Sequence, residues 1–439
     1  MLLKFEIENY KSFKDRTVFS MEPAPKQKGL DYSILREKAG DNFYKGLSSA
    51  VIYGHNASGK TNLIEAMQVF KLIIQRGNIR NPDQTYSSNP VFNYLELIPN
   101  NQLKEKKPVS FSIEFIINHL LVSFSLSVDL GLFLDKTYKR RILEESFSIN
   151  GNSVYQRKER KISFLQLQSV GEYLLDDAQK IGEVIQSISN NSLSDEELFF
   201  TNGFKNIISQ KLATMILEYF SDLFQVYYHA DNLRFSPIHS NRFGSFPEEF
   251  EKAINLFGVH SNKLIYVKDE RNPQRSVLYS VMENGKLLPA EVFESYGTIR
   301  FVNLFPMIAM TLQKGAVLVV DEFDASIHPM AIMNIINIFH NDEINVNHAQ
   351  LIFNTHNPLF LNNNILRRDE IKFVERDGET ECSRNYSLSD FGTRGSTARK
   401  GKDYMKNYFI GKYGAIRDLD FTDVFKSIVE ESNGAKNNQ

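Results

Sequence analysis

Gly54-His55-Asn56-Ala57-Ser58-Gly59-Lys60-Thr61 fills every position of the G-x-x-x-x-G-K-[ST] pattern, the spacing with which a loop cradles a polyphosphate. Consecutive backbone N–H groups must point inward around such an anion, and Gly54 and Gly59 allow that curl without Cβ clashes. In this reading Lys60 neutralises the outer phosphates and the Thr61 hydroxyl ligates Mg2+, while Asn56, Ser58 and Asn62 belong to the same nucleotide-contacting stretch. A second constellation is the acid pair Asp321-Glu322, where Asp321 suits a Mg2+ ligand and Glu322 a group that polarises an attacking water. A third is His356, a side chain placed to reach a γ-phosphate.

Strands must deliver these residues to one place. Ser48-Ser49-Ala50-Val51-Ile52-Tyr53 reads as a buried strand entering the loop, and Asn62 to Met67 as the start of the helix leaving it, whose N-terminal donors and dipole favour the anion. Ala316 to Val320 is a run of five apolar residues, suited to a parallel strand buried on both faces, with the acid pair at its carboxyl end. Gln350 to Asn354 repeats that arrangement ahead of Thr355-His356. Ligands of open α/β sheets sit beyond the carboxyl ends of strands, which is where all three constellations fall.

With these motifs in hand, the chain resembles the ABC-type ATPases of the SMC and RecF kind, and more closely a prokaryotic branch of AAA-family ATPases found in phage defence, similar to the RloA-like and AriA-like proteins. Leu2 to Lys14 resembles that branch's opening strand and "N-[FY]-[KR]-S-F" turn, and Glu294-Ser295-Tyr296-Gly297-Thr298 its signature, with Ser295 and Gly297 in the phosphate-contacting places. Asp321 to Pro329 resembles a Walker B with its D-loop, Asn354 to Pro358 the switch-histidine loop, and Tyr408 to Ile416 the characteristic tail. Tyr296 and Thr298 depart from the L-S-G-G-Q/E form, which argues against a transporter cassette. Gln84 and Gln102 are the positional candidates for a Q-loop glutamine, and neither is assigned.

The resemblance implies an α/β ABC-type P-loop NTPase head: a mixed or parallel sheet core, an antiparallel β lobe and a helical insertion. It implies ATP and Mg2+ as cofactors, a homodimer or higher homo-oligomer, and a separate nuclease or toxin effector in anti-phage defence. The alternative role is a RecF-like clamp that grips DNA. The corresponding division is 1–135 for the first part of the head, 136–260 for a mostly helical insertion, 261–380 for the second part and 381–439 for a basic, aromatic tail.

Several local readings fill in this frame. Val109 to Phe115 alternates as a half-buried strand, and Ile207, Ile208, Leu212, Met215, Ile216, Tyr219, Phe220 and Leu223 fall on one helical face. Ser194 with Glu197 forms a capping-box pattern, Asn284-Gly285 a hairpin turn, and Pro306 should kink or restart the signature helix. Ser432 to Gln439 reads as a frayed end.

Composition sets further bounds. A length of 439 residues supports two or three domains' worth of core, and the net charge of −2 gives no global attraction to nucleic acid. Any such contact must be local, at Lys136, Lys139, Arg140 and Arg141, or where Arg394, Arg399, Lys400, Lys402, Lys406 and Lys412 interleave with Tyr404, Tyr408 and Tyr413. Solvated faces or intersubunit contacts are the competing explanation for both clusters. Cys382 is the single cysteine, which fits a reducing compartment, and no apolar run is long enough to span a bilayer, so a cytoplasmic protein without a membrane partner is expected.

Overall fold

The computed structural model describes residues 1–25, 27, 29–80, 97–103, 105–133, 138–174, 193–228, 243–245, 247–258, 263–268, 276–391, 403–417 and 419–436. Gln84, Lys136, Arg394, Arg399, Lys400 and Lys402 lie outside the described residues.

Six strands build the sheet that carries the motifs, in the spatial order Phe224–Tyr227, Val317–Val320, Gln350–Asn354, Ser49–Tyr53, Ile371–Arg376 and Ser383–Ser387. The first five run parallel and the last antiparallel. Every residue of the three central strands is buried, as expected for β-branched and apolar runs covered on both faces. One face receives the helix Lys60–Arg76 through Leu63, Met67 and Phe70, within the larger core. The opposite face packs Ile332, Ile335, Ile336 and Phe339 of the helix Pro329–His340 and Leu304 and Ile308 of the helix Tyr296–Lys314.

A seven-stranded antiparallel sheet joins that first core. Its strands are Leu2–Glu8, Thr17–Ser20, Val109–Ile117, Leu120–Asp129, Arg141–Ile149, Asn152–Lys158 and Lys161–Phe164. Val109–Ile117 alternates buried and half-buried positions over most of its length, as its sequence pattern requires. The α/β architecture with a parallel-cored sheet and an antiparallel lobe is therefore the one expected.

Among the described residues, the segment 136–260 is less helical than the expected division has it. Three of its strands, between Arg141 and Phe164, complete the antiparallel sheet, and Phe224–Tyr227 forms an edge of the parallel one. Its helical part is also broken. Ser209 has an extended backbone and caps Gln210–Glu218 by accepting the Leu212 N–H at 3.2 Å, so Ile208 stays buried while Ile207 turns outward.

No capping box forms at Ser194 and Glu197: Glu197 accepts Arg80 at 2.7 Å, and the N–H groups of Phe199 and Phe200 are taken instead by Glu145, each at 2.8 Å. Glu145 is wholly buried beside Arg157, which donates to the carbonyls of Ser194 and Glu197 at 2.6 Å, so the pair fastens the helical segment to the sheet.

Asn284-Gly285 does turn a hairpin, between Ser276–Val281 and Leu287–Pro289, with Gly285 at φ 73°. The helix Tyr296–Lys314 runs through Pro306 without restarting, its flanks held by packing against the sheet. The expected frayed end is helical through residue 436, in Thr422–Lys436.

The three tyrosines of the tail are core. Tyr404, Tyr408 and Tyr413 are buried, and the Phe373 ring of the parallel sheet lies 5.9 Å from Tyr408 and 5.7 Å from Tyr413. They have no free face for a nucleobase. Of the other basic cluster, Arg141 pairs with Asp129 at 2.9 Å and Arg140 donates to the Ile79 carbonyl at 3.3 Å.

A Tyr413→Ala chain should therefore lose about 3 kcal/mol of stability, read as a lowered denaturation midpoint, because a buried ring leaves a cavity. Duplex DNA affinity, whatever its level, should not change.

Candidate nucleotide site

Register brings the three motifs to one edge. Val320 pairs with Phe353 and Asn354 with Ile52 in parallel strands, so Asp321, Thr355 and the loop after Tyr53 leave the sheet at nearly the same level. The loop Gly54 to Gly59 then turns into the helix that starts at Lys60. Both glycines are sterically required: a Cβ on Gly54 would meet Ser58 Oγ at 2.5 Å, and one on Gly59, at φ 107°, would meet Ser383 Oγ at 2.5 Å and Ser12 Oγ at 2.7 Å.

The loop is shaped for an anion in its own geometry. Lys60 Nζ folds back on the loop, donating to the carbonyls of Gly54 at 2.8 Å and His55 at 3.0 Å. Burial lowers its pKa to about 8, against the pull of Asp321 and Glu322. Ser58 is buried and its Oγ has no partner among the described residues, while Asn56 is exposed at the loop tip. Asn62 donates to Ser12 Oγ at 2.8 Å, and Ser383 Oγ donates to the Ser58 carbonyl at 2.6 Å. An unpartnered buried hydroxyl, a desolvated cation bound only to carbonyls and a cradle that tolerates no Cβ fit a bound phosphate chain.

Thr61 and Asp321 meet directly: Thr61 Oγ1 donates to Asp321 Oδ2 at 2.8 Å. Asn354 Nδ2 donates to the other carboxylate oxygen of Asp321, and Asn354 Oδ1 accepts the Glu322 N–H at 2.5 Å. Burial pushes the Asp321 carboxyl above its usual range, and the Thr61 and Asn354 hydrogen bonds partly offset that. A buried carboxylate beside an exposed hydroxyl, offering oxygen donors only, is chemistry suited to Mg2+. Asp324 is likewise raised by burial, with a Thr355 hydrogen bond opposing.

His356 stands exposed at this edge, and desolvation, then the Lys60 charge, hold its imidazole below the usual range. Its other charged neighbours are Glu322 and Asp324. Glu322 is exposed and sits at φ 48°, a left-handed conformation that costs a residue with a Cβ about 1 kcal/mol or more.

Ser295 and Gly297 stand at the start of the helix Tyr296–Lys314, against the turn that follows Asp321-Glu322. Ser295 caps the helix Tyr296–Lys314, accepting the Thr298 N–H at 3.0 Å, and Gly297 is pressed against the Ser326 carbonyl, where a Cβ could not fit. Neither makes a hydrogen bond to the loop of residues 54–59 among the described residues. Beside Ser295 in the chain, Val292, Phe293 and Tyr296 are exposed, an apolar rim without a partner in one copy.

Two further site residues were not singled out by sequence. Asn354 opens the switch-histidine stretch without a role of its own in the sequence; the signal is its place two residues before His356. Arg300 lies inside the apolar helix pattern, is 4 % exposed, and donates from Nη2 to the Glu322 carbonyl, which only the fold reveals.

A family model described as "AAA domain, putative AbiEii toxin, Type IV TA system" matches residues 49–362. No curated protein matches the chain. Similar solved structures include an SMC head bound to the C-terminal winged-helix domain of ScpA, at 13% identity over 88% of this chain and 97% of that one, with a TM-score of 0.39. The SMC head domain from Thermotoga maritima is 13% identical over 88% and 98% of the two chains, with a TM-score of 0.35. An SMC head with an extended coiled coil, bound to the C-terminal domain of ScpA and derived from Pyrococcus furiosus, gives 11% over 88% and 96%, with a TM-score of 0.37.

If Asn354 orients the Asp321 carboxylate, Asn354→Ala should raise the Mg2+ concentration needed for half-maximal ATPase activity and lower the plateau rate about tenfold or more. A Mg2+ titration of the steady-state rate checks this; an unchanged half-saturation point counts against the role.

Proposed function

We propose, because the chain belongs to the AAA domain family described as putative AbiEii toxin, Type IV TA system, that it binds Mg2+ and ATP and hydrolyses the γ-phosphate. The observation that carries the reading is the contact of Thr61 with Asp321 at 2.8 Å beside the carbonyl-bound Lys60, which joins two motifs 260 positions apart. When bound, ATP supplies the phosphoryl group and Mg2+ the charge that steadies it. Lys60 would exchange its carbonyl partners for phosphate oxygens, with Gly54, Asn56, Ser58, Gly59 and Asn62 shaping the cradle. Thr61 and Asp321 would hold the metal. Glu322, whose N–H is fixed by Asn354, would orient the water, and His356, kept largely neutral, would donate toward the developing charge.

The site is shared in this reading. Ser295 and Gly297 do not bond their own phosphate loop, and the exposed apolar rim around them suits a second copy of the chain, so each signature would close the partner's nucleotide in a homodimer. The biological role we favour is a dimeric sensor or scaffold in anti-phage defence, acting in the cytoplasm with a separate effector. A DNA clamp is the competing role, and burial of Tyr404, Tyr408 and Tyr413 removes the aromatic contacts it would use. No helix among the described residues is long and apolar enough to cross a membrane.

Glu322→Gln should keep ATP binding and lose turnover, whereas Lys60→Ala should weaken both, as measured by nucleotide binding and phosphate release. Equal loss of affinity in the two variants would contradict the assigned roles.

Sharing is tested by mixing two inactive chains. Ser295→Arg keeps an intact phosphate loop and Lys60→Ala an intact signature, so the mixed dimer contains one whole site and should regain part of the activity. A mixture that stays inactive while cross-linking shows subunit exchange would overturn the shared site.

A further inference from the structure

The amino end of the helix Tyr296–Lys314 is fastened at two points to the turn that follows the strand Val317–Val320. Gly297 packs on the Ser326 carbonyl with no room for a side chain, and the Arg300 guanidinium reaches the Glu322 carbonyl. That turn is strained twice, at Glu322 with φ 48° and at Ser326 with φ 61°. Such backbone persists only where its surroundings over-determine it. Here the surroundings are identifiable: the Glu322 N–H is held by Asn354 and its carbonyl by Arg300, so the residue is gripped on both sides of its Cα.

Arg300 is a poor choice for stability alone. Its side chain is almost wholly buried, and its Nε finds no acceptor among the described residues, which leaves a desolvated donor of a charged group unsatisfied. The carboxylate of Asp324 is near enough to feel its charge. A buried cation with a spare donor, bound to the backbone of one strained residue, is a device for holding a geometry.

We propose that Arg300 is a positioning residue that sets the posture of Glu322 and, through the helix capped by Ser295, makes that posture depend on what the signature end touches. The inference rests on the shared-site reading. When Ser295 and Gly297 dock on the nucleotide of the partner subunit, any tilt of their helix is carried by Arg300, one turn further along, to Glu322 of the same chain. Each protomer's hydrolytic carboxylate thereby reports on the other protomer's nucleotide, and the two sites fire in concert. No covalent step is added to the reaction; the contact of Arg300 is with the backbone carbonyl of Glu322.

The test uses the full-length protein with Arg300→Met and Arg300→Lys. Arg300→Met should lower kcat about tenfold or more while the affinity for ATP, measured with a fluorescent ATP analogue, stays within about twofold. The Hill coefficient for ATP should fall from above 1 in the parent protein to 1, and Arg300→Lys should recover part of the rate. A merely structural arginine would instead lower the denaturation midpoint and the ATP affinity together, leaving the Hill coefficient of the folded fraction unchanged. That outcome, or an unchanged kcat in Arg300→Met while Glu322→Gln is inactive, overturns the assignment and leaves the shared site standing. If Arg300→Met behaves as expected but the Ser295→Arg and Lys60→Ala mixture stays inactive, the positioning of Glu322 survives, and the shared site fails together with the coupling built on it.

Discussion

Parallel register is the constraint on which the rest of the molecule depends. Val320 opposite Phe353, and Asn354 opposite Ile52, end three buried strands together, and a slip of one residue would turn each side chain to the opposite face. With the register fixed, Thr61 meets Asp321, Asn354 spans Asp321 and Glu322, and Lys60 folds under the same edge. The strands contribute mainly apolar packing, with Asn354 at the end of one of them bonding Asp321 and Glu322; the rest of the chemistry is delivered by the residues that follow the strand ends. The seven-stranded sheet supports this indirectly, since Phe5, Phe111 and Phe70 pack together against the helix that begins at Lys60.

Electrostatics at that edge runs in opposite directions for acids and bases. Burial raises the Asp321 and Asp324 carboxyls and lowers Lys60, while partial desolvation and the Lys60 charge lower the exposed His356, so every one of the four is displaced toward its neutral form. A fold selected only for stability would avoid such a concentration of desolvated charge. A divalent cation beside Asp321 and a polyanion beside Lys60 would reverse the shifts at those two residues, which is the physical sense in which the site is incomplete alone.

Legibility from sequence followed the range of the interactions. The phosphate loop, its strand and its helix are contiguous, and the glycine spacing carries their geometry openly. The acid pair was equally plain because an apolar run ends at it. Glu145 was invisible in this sense: it caps Phe199 and Phe200 from a strand more than fifty positions away, and the nearer Ser194 and Glu197 offered a better-looking local cap. Ser209 broke a helical stripe that periodicity read as continuous, because one hydroxyl taking the Leu212 N–H outweighs the register of the apolar face. The tail tyrosines misled in the same way, since interleaved basic and aromatic residues look alike whether the rings face solvent or, as here, the Phe373 face of the sheet.

Strained residues also stand at this edge. Ala57, Glu322 and Ser326 all hold positive φ with a Cβ present, and all three belong to the turns that form or border the candidate site. Any of them could be relieved by glycine at small local cost, so their side chains or their stiffness must matter where they stand. For Glu322 the carboxylate is the evident reason. Ser326 presents its backbone carbonyl to Gly297, too closely for any other residue to replace that glycine. Sequence choice at 297 and backbone choice at 326 are thus one decision made from two elements, and it keeps the signature end of one helix in contact with the turn that aims Glu322.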